Sequence, residues 1–312
     1  LFRSPLLIML LGTHLYLTAI LRFPQRYLLK ALKLYFVKDH TDKGDISPFS
    51  SLMVALAANI GAGNIIGVGV AIAAGGPGAV FWCWLTGILG MATRYSEGLL
   101  AIKYRVENKD GNMSGGPMFV LERGLNSKWL GTAFAVFTAI AAFGIGNLTQ
   151  GNAAAEQLHH AFTIPFWGTA AVLTALTALV MLGGIQGIAR VCAFFVPFMA
   201  VIYIMGCLYI LTIQAEYIIP AIRYILDCAF TGEAAAGGAA GAAVMAAMRT
   251  GVARGLFSNE AGLGSAAIAS AAAQNRNPVR QALISSSGPF WDTVIICALT
   301  GIVLTTSIIA HP

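Results

Sequence analysis

The chain has 312 residues, of which 57% are apolar and only 10% charged, against about 25% charged in a soluble domain. So little polar surface excludes a soluble enzyme. The net charge of +6 does not indicate a nucleic-acid partner, because the basic residues cluster in a few short loops, as an oriented membrane protein requires.

Eight hydrophobic segments are predicted, over roughly 4–22, 48–74, 79–102, 131–156, 166–188, 192–214, 236–264 and 282–308. They are long enough to cross a hydrocarbon core of ~30 Å as helices and too long for barrel strands, and no strand alternation is present. No small-residue cleavage site follows the first segment, so it reads as a span and not as a signal peptide. His14, alone within it, is expected to be a packed histidine.

The second segment contains Asn59-Ile60-Gly61-Ala62-Gly63-Asn64. Gly61 and Gly63 lower the cost of leaving helical geometry and let a ligand approach the backbone. Two asparagines inside an apolar run are expensive unless used. Glycines alone would suit close helix packing, but packing does not ask for two amides. The segment is therefore predicted to be interrupted, with its free backbone groups forming a binding site near the bilayer midplane.

In the third segment Arg94 and Glu97 are three residues apart and are expected to pair, as a structural clamp or a gate. The fourth carries Asn147, Thr149, Gln150 and Asn152 near its end, with Asn147 and Gln150 on one face. The seventh opens on an Ala/Gly run with Gly237, Gly238 and Gly241, read either as a low-complexity helix or as a second interruption. It continues into Ser258-Asn259-Glu260-Ala261-Gly262, a polar stretch expected to act as a gate or conformational clamp. Asp292 lies in the first half of the eighth segment, where it could pair with an arginine.

The loops after the first, third, fifth and seventh segments hold 14 Lys and Arg residues, while the opposite side holds Arg3 and Arg223. The positive-inside rule then places the amino terminus outside the cell. Zinc-hydrolase, nucleophile-elbow and phosphate-loop signatures are missing. The cysteines Cys83, Cys192, Cys207, Cys228 and Cys297 show no CxxC spacing, so neither a disulfide framework nor a metal site is indicated.

Gly75-Gly76-Pro77-Gly78-Ala79-Val80-Phe81-Trp82-Cys83-Trp84-Leu85 resembles a signature of the alanine or glycine:cation symporters, with Cys83 where Met is usual. The Gly61-Ala62-Gly63-Asn64 stretch, Met113-Ser114-Gly115-Gly116-Pro117, and the run from Gly255 to Ala266 resemble further motifs of that family. The resemblance implies an all-α polytopic protein with a leucine-transporter-type inverted-repeat bundle, a single transmembrane domain over 1–312, here with about eight of about eleven spans. It implies a multi-pass protein of the bacterial inner membrane that couples sodium, sometimes protons, to uptake of alanine or glycine by alternating access. On that resemblance Gly61, Gly63, Asn64, Gln150, Gly237, Gly238 and Gly241 would bind substrate. Asn59 and Gly61 would serve the cation, and Arg94, Glu97, Ser258, Asn259 and Glu260 would form the gate. No cofactor beyond the coupling ion is expected, the partners are substrate and lipid, and a monomer is expected. The chain opens without Met and stops just after its eighth segment, at His311-Pro312, so it reads as a piece of a longer protein. A symporter of another small solute remains the alternative, ahead of a channel.

Overall fold

The computed structural model describes residues 4–37, 44–231 and 240–311. The described parts of the expected apolar segments fold mainly as helix, the form in which a lone chain segment satisfies its own backbone groups in hydrocarbon. Helix α1 (Ser4–Ile20) turns through a short 3₁₀ stretch into α2 (Leu28–Leu34), with a bend of 66° between them. Helix α3 (Pro48–Asn59) begins where the Ser47 hydroxyl accepts the Ser50 N–H at 3.0 Å, with Pro48 in its first turn. It is followed by α4 (Ala62–Gly75), bent by 41° from α3, and by α5 (Gly78–Lys103).

A two-residue hairpin, β1 (Val106–Glu107) with β2 (Met113–Ser114), then leads into α6 (Pro117–Gly124). Helix α7 (Lys128–Ala141) runs through a π-helical stretch, Ala142–Leu148, into α8 (Thr149–Phe162). Helices α9 (Phe166–Leu182) and α10 (Gly184–Ile213) follow, then α11 (Ile218–Phe230) and α12 (Ala240–Asn259). The described chain closes with α13 (Ser265–Ala271), α14 (Pro278–Ser286), a second π-helical stretch Phe290–Cys297, and α15 (Ala298–Ala310).

Lys128–Phe162, Gly184–Ile213 and Pro278–Ala310 are continuous helices long and apolar enough to cross a membrane, and α3 with α4 qualifies as one bent span. The polypeptide is thus an all-α membrane protein. Besides α6 and α13, which also lie in regions read as loops, and α10, which takes the expected loop at 189–191 into helix, three features depart from the hydropathy reading. The first is the small hairpin in the loop after α5. The second is α11, within the region read as a loop; Ala221, Ile225, Cys228 and Ala229 give it a buried face, and it docks under Trp82, whose Nε1 donates to the Ala229 carbonyl at 3.3 Å. The third is α2, folded from the loop after the first segment.

Helix α5 is the axis of the packing, flanked most extensively by α12 and α14. Small residues allow this approach, as they do between membrane helices generally. A Cβ on Gly251 would lie 2.2 Å from the Ala79 carbonyl oxygen, so α12 sits directly on the α5 backbone. Val68, Val80, Cys83, Ile225 and Cys297 fill the layer around it. Helices α9 and α10 instead expose Leu176, Leu182, Phe194 and Phe198, an apolar surface suited to lipid or to further helices.

Candidate functional site

The interruption between α3 and α4 is where the sequence reading placed it. Ile60 and Gly61 leave helical geometry, and α4 restarts at Ala62. A restarted helix presents backbone N–H groups and a partial positive charge, an environment that suits a carboxylate. Here the Gly61 N–H donates to Asn64 Oδ1 at 2.9 Å, and the Ala62 N–H donates to Gln150 Oε1 at 3.1 Å. The approach of Gln150 depends on glycine, because a Cβ on Gly61 would meet Oε1 at 2.7 Å. Gln150 lies directly after the π-helical stretch of the α7–α8 span, the kind of local irregularity that recurs at functional positions.

Asn64 is fully buried and faces the second π-helical stretch. Its Nδ2 donates to Asp292 Oδ1 at 2.6 Å and to Ser258 Oγ at 3.1 Å, with the Asp292 carbonyl at 3.2 Å and Cys297 Sγ at 3.3 Å. Asp292 Oδ2 accepts from Ser258 Oγ at 2.8 Å and from Thr293 Oγ1 at 2.7 Å. One asparagine therefore joins the helix break to a buried carboxylate.

Asp292 does not find an arginine. Among the described residues no Lys or Arg side chain pairs with it, because the two nearby arginines are engaged elsewhere. Arg254 donates to the Gly63 carbonyl from Nη2 at 2.9 Å and from Nε at 3.3 Å, and its guanidinium lies 4.9 Å from the Phe257 ring centre. Arg94 Nη2 donates to the Asn259 carbonyl at 2.7 Å. Asn59 Nδ2 donates to that same carbonyl at 3.1 Å. Asn59 thus ties the end of α3 to the end of α12, on a different partner from the Asp292 cluster.

The polar stretch after α12 is a tight turn. Glu260, Gly262 and Gly264 have φ of 49°, 93° and 79°, the left-handed region that glycine tolerates and other residues rarely enter. Glu97 Oε1 accepts the N–H groups of Gly262 at 2.9 Å and Gly264 at 3.0 Å. The expected Arg94–Glu97 pair is present at 3.8 Å, but each partner makes shorter bonds to the turn. Asn259 Oδ1 accepts the Ala261 N–H at 3.0 Å, and Ser265 donates to Glu260. Arg94, Glu97, Asn259 and Glu260 therefore form one latch between α5 and the α12–α13 turn. Ser258 belongs with Asn64 and Asp292.

The remaining expected residues separate. Gly63 contributes its carbonyl to Arg254. Asn147 does not join Gln150; its Nδ2 bonds back to the Ala142 carbonyl at 3.0 Å within its own helix. His14 is buried, with Nδ1 2.7 Å from Thr93 Oγ1. Gly241 lies in the first turn of α12, and Gly237 and Gly238 fall outside the described residues. The sequence reading gave no role to Arg254, Thr293 or Cys297, and it gave Asp292 the wrong partner. The signal for Asp292 was a lone acid within an otherwise apolar stretch.

The profile of the sodium:alanine symporter family matches residues 1–312. A Haemophilus influenzae protein described as an uncharacterized transporter is 54% identical over 96% of this chain and 66% of its own length. A Methanococcus maripaludis protein named sodium/alanine symporter AgcS is 52% identical over 96% of this chain and 67% of its own length. A Bacillus subtilis protein named probable sodium/glutamine symporter GlnT is 36% identical over 98% of this chain and 63% of its own length. The chain thus spans about two thirds of the length of the curated relatives it matches. With the family profile spanning all its residues and relatives above half identity, the chain belongs to the sodium:alanine symporter family.

Proposed function

We propose that the chain is part of a secondary symporter that couples sodium entry to uptake of a small neutral amino acid, alanine or glycine, by alternating access. One observation carries the reading: at the α3–α4 break the Ala62 N–H is held by an uncharged amide, Gln150. The Gln150 Oε1 oxygen sits on the Ala62 N–H at the position a substrate carboxylate takes when it binds the α4 terminus. Gln150 then turns its amide N–H groups to the same carboxylate. Gly61 and Gly63 leave the space, and Asn64 fixes the backbone that recognises it. A charged partner at the break would compete with the substrate, whereas an amide yields.

The tight glycine-lined approach favours alanine or glycine over larger side chains. The name of the Methanococcus maripaludis relative supports alanine and sodium; the glutamine in the name of the Bacillus subtilis relative makes glutamine the competitor to include. The α3–α4 bend and the seventh segment of the sequence, which carries Gly237, Gly238 and Gly241, are read as the two opening helices of a leucine-transporter-type inverted repeat. The Arg94–Glu97–Asn259–Glu260 latch is read as the gate on the cytoplasmic side. The protein acts as a monomer in the plasma membrane of a bacterium, with its amino terminus outside.

The deciding experiment is uptake of labelled alanine into proteoliposomes carrying the full-length protein, with and without an inward sodium gradient. Gradient-dependent uptake that glycine competes supports the proposal. Uptake driven only by a proton gradient replaces the ion and keeps the substrate. Absence of uptake of alanine, glycine and glutamine under either gradient, in folded protein, overturns it.

A further inference from the structure

Between Leu21 and Val37 the chain carries Arg22, Arg26, Lys30 and Lys33 and no acidic residue. This stretch leaves α1 at the 66° bend and winds through Pro24–Tyr27 into α2. Its side chains sort onto different faces. Pro24, Ala31 and Tyr35 are buried against the bundle. The four basic side chains recur every three or four residues, the spacing of a helical stripe, and all are exposed. None of Arg22, Lys30 and Lys33 makes an ion pair with another described residue. Arg26 lies on Tyr27 instead, with Nη2 2.8 Å from the hydroxyl. Beside the stripe, Leu29 and Phe36 are 74% and 78% exposed. A loop in water would not present those two side chains, and a membrane span would not carry four cations. A helix that combines both fits the boundary between lipid headgroups and acyl chains.

Resting on the symport reading and the membrane placement proposed above, we propose that α2 and the turn before it form a binding surface for anionic phospholipid headgroups. Tyr35 passes the occupancy of that surface to the helix break. Arg22, Arg26, Lys30 and Lys33 meet the phosphates, while Leu29 and Phe36 enter the acyl layer. A zwitterionic headgroup brings no net charge to four cations, whereas phosphatidylglycerol does. A soluble polyanion would engage the cations but leave Leu29 and Phe36 in water.

The inner face of the same helix reaches the substrate site by two routes. The Tyr35 hydroxyl donates to Ser287 Oγ at 2.5 Å and accepts from Trp291 Nε1 at 3.2 Å. Trp291 directly precedes Asp292 in the second π-helical stretch. Tyr35 also belongs to the buried cluster that holds Leu52, Leu56 and Ile60, and Ile60 is where α3 ends. Arg280 of α14 adds a bond from Nη2 to the Val37 carbonyl. Headgroups that pin α2 therefore hold Tyr35 against both the break and the stretch carrying Asp292. Because binding linkage is reciprocal, a lipid that favours the substrate-binding arrangement must itself bind more tightly when substrate is present.

The test uses the purified full-length protein in a neutral detergent, with neither sodium nor amino acid. It reads the thermal midpoint against added phosphatidylglycerol, phosphatidylcholine and, as a soluble polyanion, inositol hexakisphosphate. Phosphatidylglycerol alone is expected to stabilise the wild type. Each basic residue near an anionic surface strengthens binding about fivefold. Lys30→Gln combined with Lys33→Gln should therefore raise the half-saturating phosphatidylglycerol concentration about twentyfold. Leu29→Ser combined with Phe36→Ser should raise it about tenfold. All four side chains are exposed, so both variants are expected to fold. Tyr35→Phe should leave that concentration unchanged, because the surface is intact. In proteoliposomes, the apparent constant for alanine should fall about fivefold in the wild type as phosphatidylglycerol replaces phosphatidylcholine. In Tyr35→Phe it should hold one value.

Equal stabilisation by phosphatidylcholine, or an unchanged half-saturating concentration in both double variants, overturns the lipid surface. Stabilisation by inositol hexakisphosphate that matches phosphatidylglycerol overturns it too, because the charges then serve a soluble ligand. A lipid response of the alanine constant that survives Tyr35→Phe overturns the coupling. The midpoints are read without amino acid, so alanine uptake that fails while the lipid response persists would overturn the symport reading alone.

Discussion

Asn64 and Gln150 meet the same break from opposite sides, and their replacements separate two roles. Asn64→Ala leaves the Gly61 N–H and the Asp292 carboxylate each short of one partner inside a buried layer. An unsatisfied buried group costs about 1–3 kcal/mol, so substrate affinity should fall by roughly tenfold or more while membrane insertion persists. Uptake kinetics normalised to the amount of protein in the membrane check this, and a wild-type constant in the mutant would remove Asn64 from the site. Gln150→Ala should raise the apparent substrate constant by loss of one hydrogen-bonding arm. Gln150→Glu should do more harm, because it seats a permanent carboxylate on the α4 terminus, where charge-assisted bonds are about twice as strong as neutral ones. If both variants weaken binding equally, the amide is only packing. The two asparagines were legible in the sequence because an amide in an apolar run must find a partner. Asp292 was legible as a charge, but its partners were not: Asn64 and Ser258 lie 228 and 34 residues away along the chain, and no local pattern encodes that meeting.

At the scale of elements, the interrupted second segment was readable and the seventh was harder. Its Ala/Gly run suggested a break near Gly237–Gly241; Gly237 and Gly238 lie outside the described residues, and from Ala240 to Asn259 the chain is helix α12. Alanine is the strongest helix former, and the cost of an isolated glycine is only about 1 kcal/mol. After α12 the chain turns at Glu260–Gly264, where three positive φ values fall close together. That turn buries Ala261 and Gly264 and also leans on Glu97. Glu97→Ala strips the acceptor from two backbone N–H groups and should lower stability by about 2 kcal/mol. Thermal unfolding of the detergent-solubilised protein measures this; an unchanged midpoint would mean the turn holds itself. Gly251→Ala is the control for helix packing. Its new Cβ would meet the Ala79 carbonyl at 2.2 Å, forcing α12 away from α5 at a cost of about 1–3 kcal/mol. Because the collision is with backbone, no rotamer change relieves it. The two variants should differ in kind: Gly251→Ala disturbs the α5–α12 seam, while Glu97→Ala frees the turn and removes the carboxylate beside Arg94.

At the scale of the whole molecule, the order of helices gives each loop a side, and charge gives the sides their names. Lys109 lies in the exposed connection between β1 and β2, just after α5, and Glu216 lies in the exposed connection between α10 and α11. The α7–α8 span, α9 and α10 come between them, three traverses in all, so the two positions must face opposite sides if each traverse crosses the bilayer. Basic residues near span ends are retained on the cytoplasmic side, which puts Lys109 inside and Glu216 outside. A cysteine placed at position 216 should react with a membrane-impermeant maleimide in intact cells, and one at position 109 only after the cells are opened. The background is manageable: Cys83, Cys207, Cys228 and Cys297 are buried, and Cys192 is half-buried, so Cys192→Ala removes the one native thiol with appreciable access. Labelling of both positions in intact cells would mean that one of the three helices does not cross, and α9, with 17 residues, is the one whose length leaves least margin. The reverse pattern would keep every traverse and invert the molecule, turning the Glu97 latch to the outer face and making it the entry gate for substrate instead of the exit.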